Sequence, residues 1–237
     1  MLTSKRTLVE VAVDSVASAV MAEAAGADRL ELCQCLELGG LTPSLGLLEA
    51  VRRRVGIPVF VMVRSVTGPF RYDAAEVEVM ASDVRRAREA GAAGVVIGAL
   101  TADGRIDQAA VRPLIAAAGT LPVTFHRAID LVADVPGGLD ELVAMGVARV
   151  LTSGGPSTAF VGRSVLAGMV RHAAGRLTIL AGGGVRAEHV VELVRTSGVS
   201  EVHLSGVVAN GQTLDQGYGR AFVPNRARLE AVMAALV

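Results

Sequence analysis

The feature that most constrains this chain is an alternation, repeated eight times, of a short run rich in β-branched residues and a longer Ala-rich stretch. The strand-like runs are LVEVAV from Leu8, RLELC from Arg29, VFVMVR from Val59, GVVIGAL from Gly94, VTFHR from Val123, RVLTSG from Arg149, LTILAGG from Leu177 and EVHLSG from Glu201. Between them, stretches such as 15–25, 74–90, 139–145 and 187–196 carry apolar residues at helical spacing. Strands joined by helices are parallel with right-handed crossovers. Eight such units close into a barrel; a doubly wound open sheet is the competing arrangement. The 237 residues suit one complete α/β barrel, and no Pro-rich or Ser-rich linker divides them. The expectation is a single (β/α)8 TIM-barrel domain over residues 1–237. Residues 207–223 form the longest irregular stretch, ahead of a last helix from about Pro224.

Side chains alternate along a strand, so in a barrel one set points inward and the other toward the helices. Val9, Val11 and Val13 form the apolar set of the first strand, which turns Glu10 and Ala12 inward. Leu30 and Leu32 place Glu31 and Cys33 inward, and Val61 and Val63 do the same for Met62 and Arg64. Phe125 outward leaves His126 inward; Val202 and Leu204 outward leave His203 and Ser205 inward. Five strands thus send Glu10, Glu31, Arg64, His126 and His203 to one interior, where Val, Ile and Leu would be the ordinary filling. Unpaired buried charge is costly, so the convergence needs a cause. A structural cause is an ion-pair network in which Arg64 neutralises the two glutamates and the histidines cap it. A functional cause is a polar pocket at the carboxyl ends of the strands, with Arg64 for an anion and Glu31 and His126 as leading general base and acid.

Two glycine-rich turns adjoin that end. Gly182, Gly183 and Gly184 lead into a helix, where backbone amides can approach an anion, and Thr152, Ser153, Gly154 and Gly155 precede another turn. Together they read as the rim of a phosphate or carboxylate site, although such turns also arise for purely steric reasons.

Cys33 and Cys35 are the only cysteines, too close in an extended strand for an ordinary disulfide. Two residues apart, they would project to the same side and could hold a soft ion such as Cu(I). The alternative is that Cys33 is a small buried filler and Cys35 lies on the following loop. Met62 could add a thioether or simply fill space. Lys plus Arg balance Asp plus Glu at 23 each, so no general basic field attracts nucleic acid or anionic lipid. No apolar run has the length to cross a bilayer, and MLTSKRTLVE lacks the apolar core of a leader. A cytoplasmic location is the expectation.

The segments RLELCQCLELGGLTPS, MASD from Met80, TFHRAID, RVLTSGG, AGGGV and EVHLSG, in this order, together resemble the CutC family. The resemblance implies the barrel, a cytoplasmic homo-oligomer, and a name tied to copper homeostasis, with Cu(I) as cofactor. It also implies a polar pocket made of Glu10, Glu31, Arg64, His126, Arg127, Asp130, Thr152, His203 and Ser205. Two departures stand out. Copper-binding members carry a first-strand cysteine where this chain has Ala12, and a family-typical Arg-Pro-Arg-Gly-Gly turn is replaced by Arg64-Ser65-Val66-Thr67-Gly68. Three functions follow as expectations: copper handling, an isomerase- or lyase-type barrel enzyme acting on a small phosphorylated or carboxylated metabolite, or a ligand-binding sensor.

Overall fold

The computed structural model describes residues 6–155, 157–213 and 220–236, with the side chains of 208–213 and 220–223 outside that description. Residues 1–5, part of the segment judged to lack a leader's apolar core, also lie outside it. Eight parallel strands close into a barrel in sequence order: β1 (Leu8–Val13), β2 (Arg29–Leu32), β3 (Val59–Met62), β4 (Gly94–Ile97), β5 (Val123–Phe125), β6 (Arg149–Thr152), β7 (Thr178–Gly182) and β8 (Glu201–Ser205). The ring is completed by β1 and β8, with Glu10 level with His203 and Ala12 with Ser205. The closed ring settles the choice between barrel and open sheet.

Around it lie α1 (Val16–Ala24), α2 (Leu45–Arg52), α3 (Ala74–Glu89), α4 (Gln108–Ala118), α5 (Val135–Ala144), α6 (Arg163–Ala173), α7 (Ala187–Ser197) and α8 (Arg226–Ala235). Their starts are chemically marked. Ser15 caps α1 and Asp73 caps α3, each in a reciprocal capping box. α5 begins four residues before the expected 139, because the Asp134 side chain accepts from the Gly137 amide and Pro136 fits the first turn.

The expected parity appears as two separate apolar layers. Val9, Val11, Val13, Leu30, Leu32, Val61, Val63, Phe125, Val202 and Leu204 belong to the large cluster between strands and helices. Cys33, Phe60, Met62 and Val96 form a small cluster within the barrel. Several strands end earlier than their apolar runs suggested. In particular β5 stops at Phe125, and a 3₁₀ turn over Arg127–Leu131 follows.

The stretch read as irregular instead forms an antiparallel hairpin of β9 (Val207–Thr213) and β10 (Arg220–Pro224), with 214–219 outside the described residues. Its β-branched and aromatic ends, Val207, Val208, Phe222 and Val223, carry strand propensity that the Gly- and Asn-containing middle hid. Among the described residues, no helix is long and apolar enough to cross a membrane.

Candidate active site

The barrel interior divides into two polar levels. The lower one, the floor, is a closed ion-pair network. The Arg29 Nε donates to Glu10 Oε2, and Arg29 Nη2 donates to Glu201 Oε2 at 2.6 Å. The Arg149 Nε reaches the same Glu201 oxygen at 2.6 Å. The Phe60 ring lies against both cations, 5.0 Å from Arg29 and 5.4 Å from Arg149. The network anticipated as the structural cause therefore exists, but its cations are Arg29 and Arg149 rather than Arg64. All three missed members, Arg29, Arg149 and Glu201, share inward parity with neighbours two residues on, so that signal was present in the sequence.

Above the floor, a cavity of about 210 Å3 opens at the carboxyl ends of the strands. Its polar wall is Glu31, Arg64, His126, Arg127, His203 and Ser205, and Ala12, Leu36, Gly39, Met62, Phe70 and Leu151 complete it. The Arg64 guanidinium donates to the carbonyls of Leu38, Gly40 and Gly68 at 3.0–3.2 Å, tying the loops after β2 and β3 together. Phe70, at a left-handed φ of 60°, lays its ring 4.8 Å from the Arg64 guanidinium and 4.7 Å from the His126 ring. No sequence signal marked Phe70, because its position depends on an irregular loop.

Three buried polar atoms of this wall have no hydrogen-bond partner among the described residues: Glu31 Oε1, Arg64 Nε and His126 Nε2. The His126 Nδ1 accepts from the Ala128 amide at 3.1 Å, so the neutral ring carries its proton on Nε2. Burial, reinforced by the Arg64 charge, lowers the His126 pKa to about 3. The residue expected as general acid is thus a neutral N–H donor. The close approach of Gly98, whose added Cβ would lie 2.3 Å from the ring, makes room for it.

His203 joins the two levels. Its Nδ1 donates to Glu10 Oε1 at 2.8 Å, and its Nε2 lies 3.8 Å from Glu31 Oε2. Burial would raise the Glu10 pKa, but the His203 hydrogen bond and the Arg29 charge more than offset it and hold it at about 2. Burial raises that of Glu31. Burial opposes an imidazolium at His203, yet the charges of Glu31 and Glu10 prevail and raise its pKa. Glu10, Glu31 and His203 bring ligand atoms within 4.8 Å of one another. The Glu10 oxygens are already engaged by Arg29 and His203, which makes the trio a proton-transfer geometry rather than an open chelate.

The loop after β6 departs most from expectation. Asp130 fills it: Thr152 Oγ1 donates to the carboxylate, as do Ser153 Oγ at 2.9 Å and the Ser153 and Gly155 amides at 3.2 Å. Arg127 adds a 2.8 Å bond from Nε and reaches Ser153 Oγ through Nη2. Asp130, which the family resemblance places in the polar pocket, here braces the loop and holds Arg127 at the cavity wall. Arg127 gets there because β5 has ended before it, which removes the alternation that would have turned it away. Gly154 donates its amide to Thr152 Oγ1 at 2.8 Å. Added Cβ atoms at Gly182 and Gly183 would approach Leu151 at 2.5 Å and Ser153 at 3.3 Å, and Gly183 also holds a left-handed φ of 106° that disfavours a side chain. Gly184 similarly faces Thr158 at 3.0 Å.

The cysteines do not form the expected pair. β2 ends at Leu32 and Cys35 adopts a left-handed φ of 53°, so the extended geometry that would align both sulfurs is absent. The Cys33 thiol donates to Glu31 Oε2 at 3.5 Å, and burial followed by the Glu31 charge pushes its pKa well above the usual range. The two sulfurs therefore do not make the aligned Cu(I) pair that their spacing suggested.

The chain matches the CutC family over residues 7–208. A CutC family protein of Histophilus somni is 48% identical over 197 residues, covering 83% of this chain and 81% of that one. The chain belongs to the CutC family. The human copper homeostasis protein cutC homolog is 48% identical over 198 residues, 84% of this chain and 72% of the relative. The crystal structure of CutC from Streptococcus agalactiae superposes with a TM-score of 0.80 at 32% identity, over 83% of this chain and 97% of that one. Thiamine phosphate pyrophosphorylase of Pyrococcus furiosus, at 15% identity and a TM-score of 0.62 over 100% of this chain and 98% of its own, shares the fold alone.

Proposed function

We propose that this CutC family member is an acid/base barrel enzyme of isomerase or lyase type, acting on a small phosphorylated or carboxylated metabolite at the strand ends. The observation that carries the reading is the convergence of three unpartnered buried atoms, Glu31 Oε1, Arg64 Nε and His126 Nε2, on residues lining one cavity. A folded chain leaves such groups unpaired at a cost of roughly 1–3 kcal/mol each, and a bound ligand removes that cost.

Arg64 receives the anionic group. Glu31 takes a proton from carbon, and the electron pair moves onto a neighbouring oxygen that the His126 Nε2–H stabilises. The His203 imidazolium, oriented by Glu10, returns a proton. Glu31 keeps its base role, and the acid role passes from His126 to His203.

A thermal-shift screen of phosphorylated and carboxylated metabolites identifies the ligand. Turnover of that ligand is lost in Glu31→Gln and His126→Asn while their unfolding transitions remain cooperative. Full turnover in both variants refutes the assignment.

A second reading, copper binding, is favoured by the names of the relatives and by Cys33 packing beside Met62. It predicts Cu(I) affinity that falls in Cys33→Ser and Cys35→Ser; unchanged affinity in both removes it. A cytoplasmic location and self-association complete the proposal. Light scattering of the purified chain tests the latter, and a monomer at working concentration contradicts it.

A further inference from the structure

The cavity has features that discriminate between the two classes of anion. We propose that its ligand is a short monocarboxylate with a hydroxyl or carbonyl oxygen on the adjacent carbon, and not a phosphate ester; this rests on the function proposed above.

Barrel enzymes commonly seat phosphate on free backbone amides of the late strand-to-helix loops. In the loop after β6 the Ser153 and Gly155 amides and the Thr152 and Ser153 hydroxyls already donate to Asp130, whose side chain is 6% exposed. The chain's own carboxylate takes those donors, and a second anion would meet it at close range. Arg127, the cation beside them, is neutralised by the same carboxylate.

Arg64 differs. Among the described residues no carboxylate lies within 4.0 Å of its guanidinium, and its Nε is buried without an acceptor. It is therefore the cavity's uncompensated guanidinium, and it shares the wall with Glu31. One negative charge balances it; a dianion would add repulsion against the Glu31 carboxylate.

Size and polarity restrict the rest of the molecule. The 210 Å3 cavity is below the roughly 300–1,000 Å3 of drug-sized sites. Leu36, Met62, Phe70 and Leu151 suit a short carbon chain. The remaining unpartnered donor, His126 Nε2–H, accounts for an oxygen beside the carboxylate.

The test is calorimetric titration of the full chain with lactate and pyruvate against inorganic phosphate and glycerol 3-phosphate. A carboxylate probe binds saturably and the phosphate probes do not, and Arg64→Lys weakens the carboxylate by about tenfold or more, since a lysine lacks the planar fork. In Asp130→Ala, and in Asp130→Asn should the former fail to fold, the released donors allow inorganic phosphate to bind. Phosphate probes binding the unaltered chain as tightly as the carboxylates overturn the inference while leaving the small-anion site standing. Carboxylate binding that survives Arg64→Lys unchanged also overturns it. Binding by neither class removes the proposed function and this inference together.

Discussion

The floor and the mouth of this barrel are built from the same residue types and solve opposite problems. On the floor Glu10, Glu201, Arg29 and Arg149 satisfy one another around Phe60. At the mouth, Glu31, Arg64 and His126 each retain a buried atom with no partner among the described residues. The two ends of strand β4 show the parallel: Gly94, its first residue, gives way to the Phe60 ring, with an added Cβ 2.5 Å away, and Gly98, just past its last, gives way to His126 at 2.3 Å. The floor aromatic fills space between paired cations, whereas the mouth imidazole offers a donor to the cavity. Charge inside a barrel is thus structural where it is closed on itself and available for chemistry where it is left open.

The largest expected effect is on the floor. Arg29→Met leaves Glu10 and Glu201 buried with fewer partners, which costs about 3–5 kcal/mol in urea unfolding. A loss below about 1 kcal/mol would break the comparison by showing the network to be dispensable.

The paired glycines separate the levels next. Gly94→Ala and Gly98→Ala each force a ring to move and cost about 1–3 kcal/mol. Only Gly98→Ala, which displaces His126, abolishes ligand binding in addition. Equal binding losses in both variants would mean that the two levels act as one unit.

Acid titration sharpens the contrast further. His126 has a folded pKa near 3, below its ordinary 6.5, so its contribution is complete above pH 6.5 and is lost as pH falls through the folded value. Glu10, held near 2 against an ordinary 4.5, contributes above pH 4.5 and loses that contribution toward pH 2. The raised pKa of His203 works the other way, adding stability below 6.5 that disappears as pH rises through its folded value. His126→Asn therefore flattens the stability profile between pH 6.5 and 4.5, by at most about 1.4 kcal/mol per pH unit. An identical slope in the unaltered chain and the variant would contradict a neutral buried imidazole.

Much of this division was legible in the sequence. Period-two alternation placed Glu10, Glu31, His126 and His203 inward, and the same rule applied two residues earlier or at β6 would have found Arg29, Arg149 and Glu201. What alternation could not convey was which charges pair, since that depends on stagger between strands distant in sequence, as with Arg29 and Glu201. The roles of Phe70, Asp130 and Cys35 were hidden for another reason. Each depends on loop geometry: a left-handed φ at Phe70 and Cys35, and a 3₁₀ turn that carries Asp130 into the β6 loop.

The smallest expected change in stability is the most telling. In Glu31→Gln a buried carboxylate whose Oε1 has no partner among the described residues becomes a neutral amide, and in Glu201→Gln a carboxylate shared by two arginines is lost. Urea unfolding of the two variants beside the unaltered chain at pH 7 measures the difference directly. The predicted result is that Glu31→Gln matches or exceeds the unaltered chain while Glu201→Gln loses about 3 kcal/mol or more. A large loss in Glu31→Gln with none in Glu201→Gln would contradict the division between a structural floor and a functional mouth.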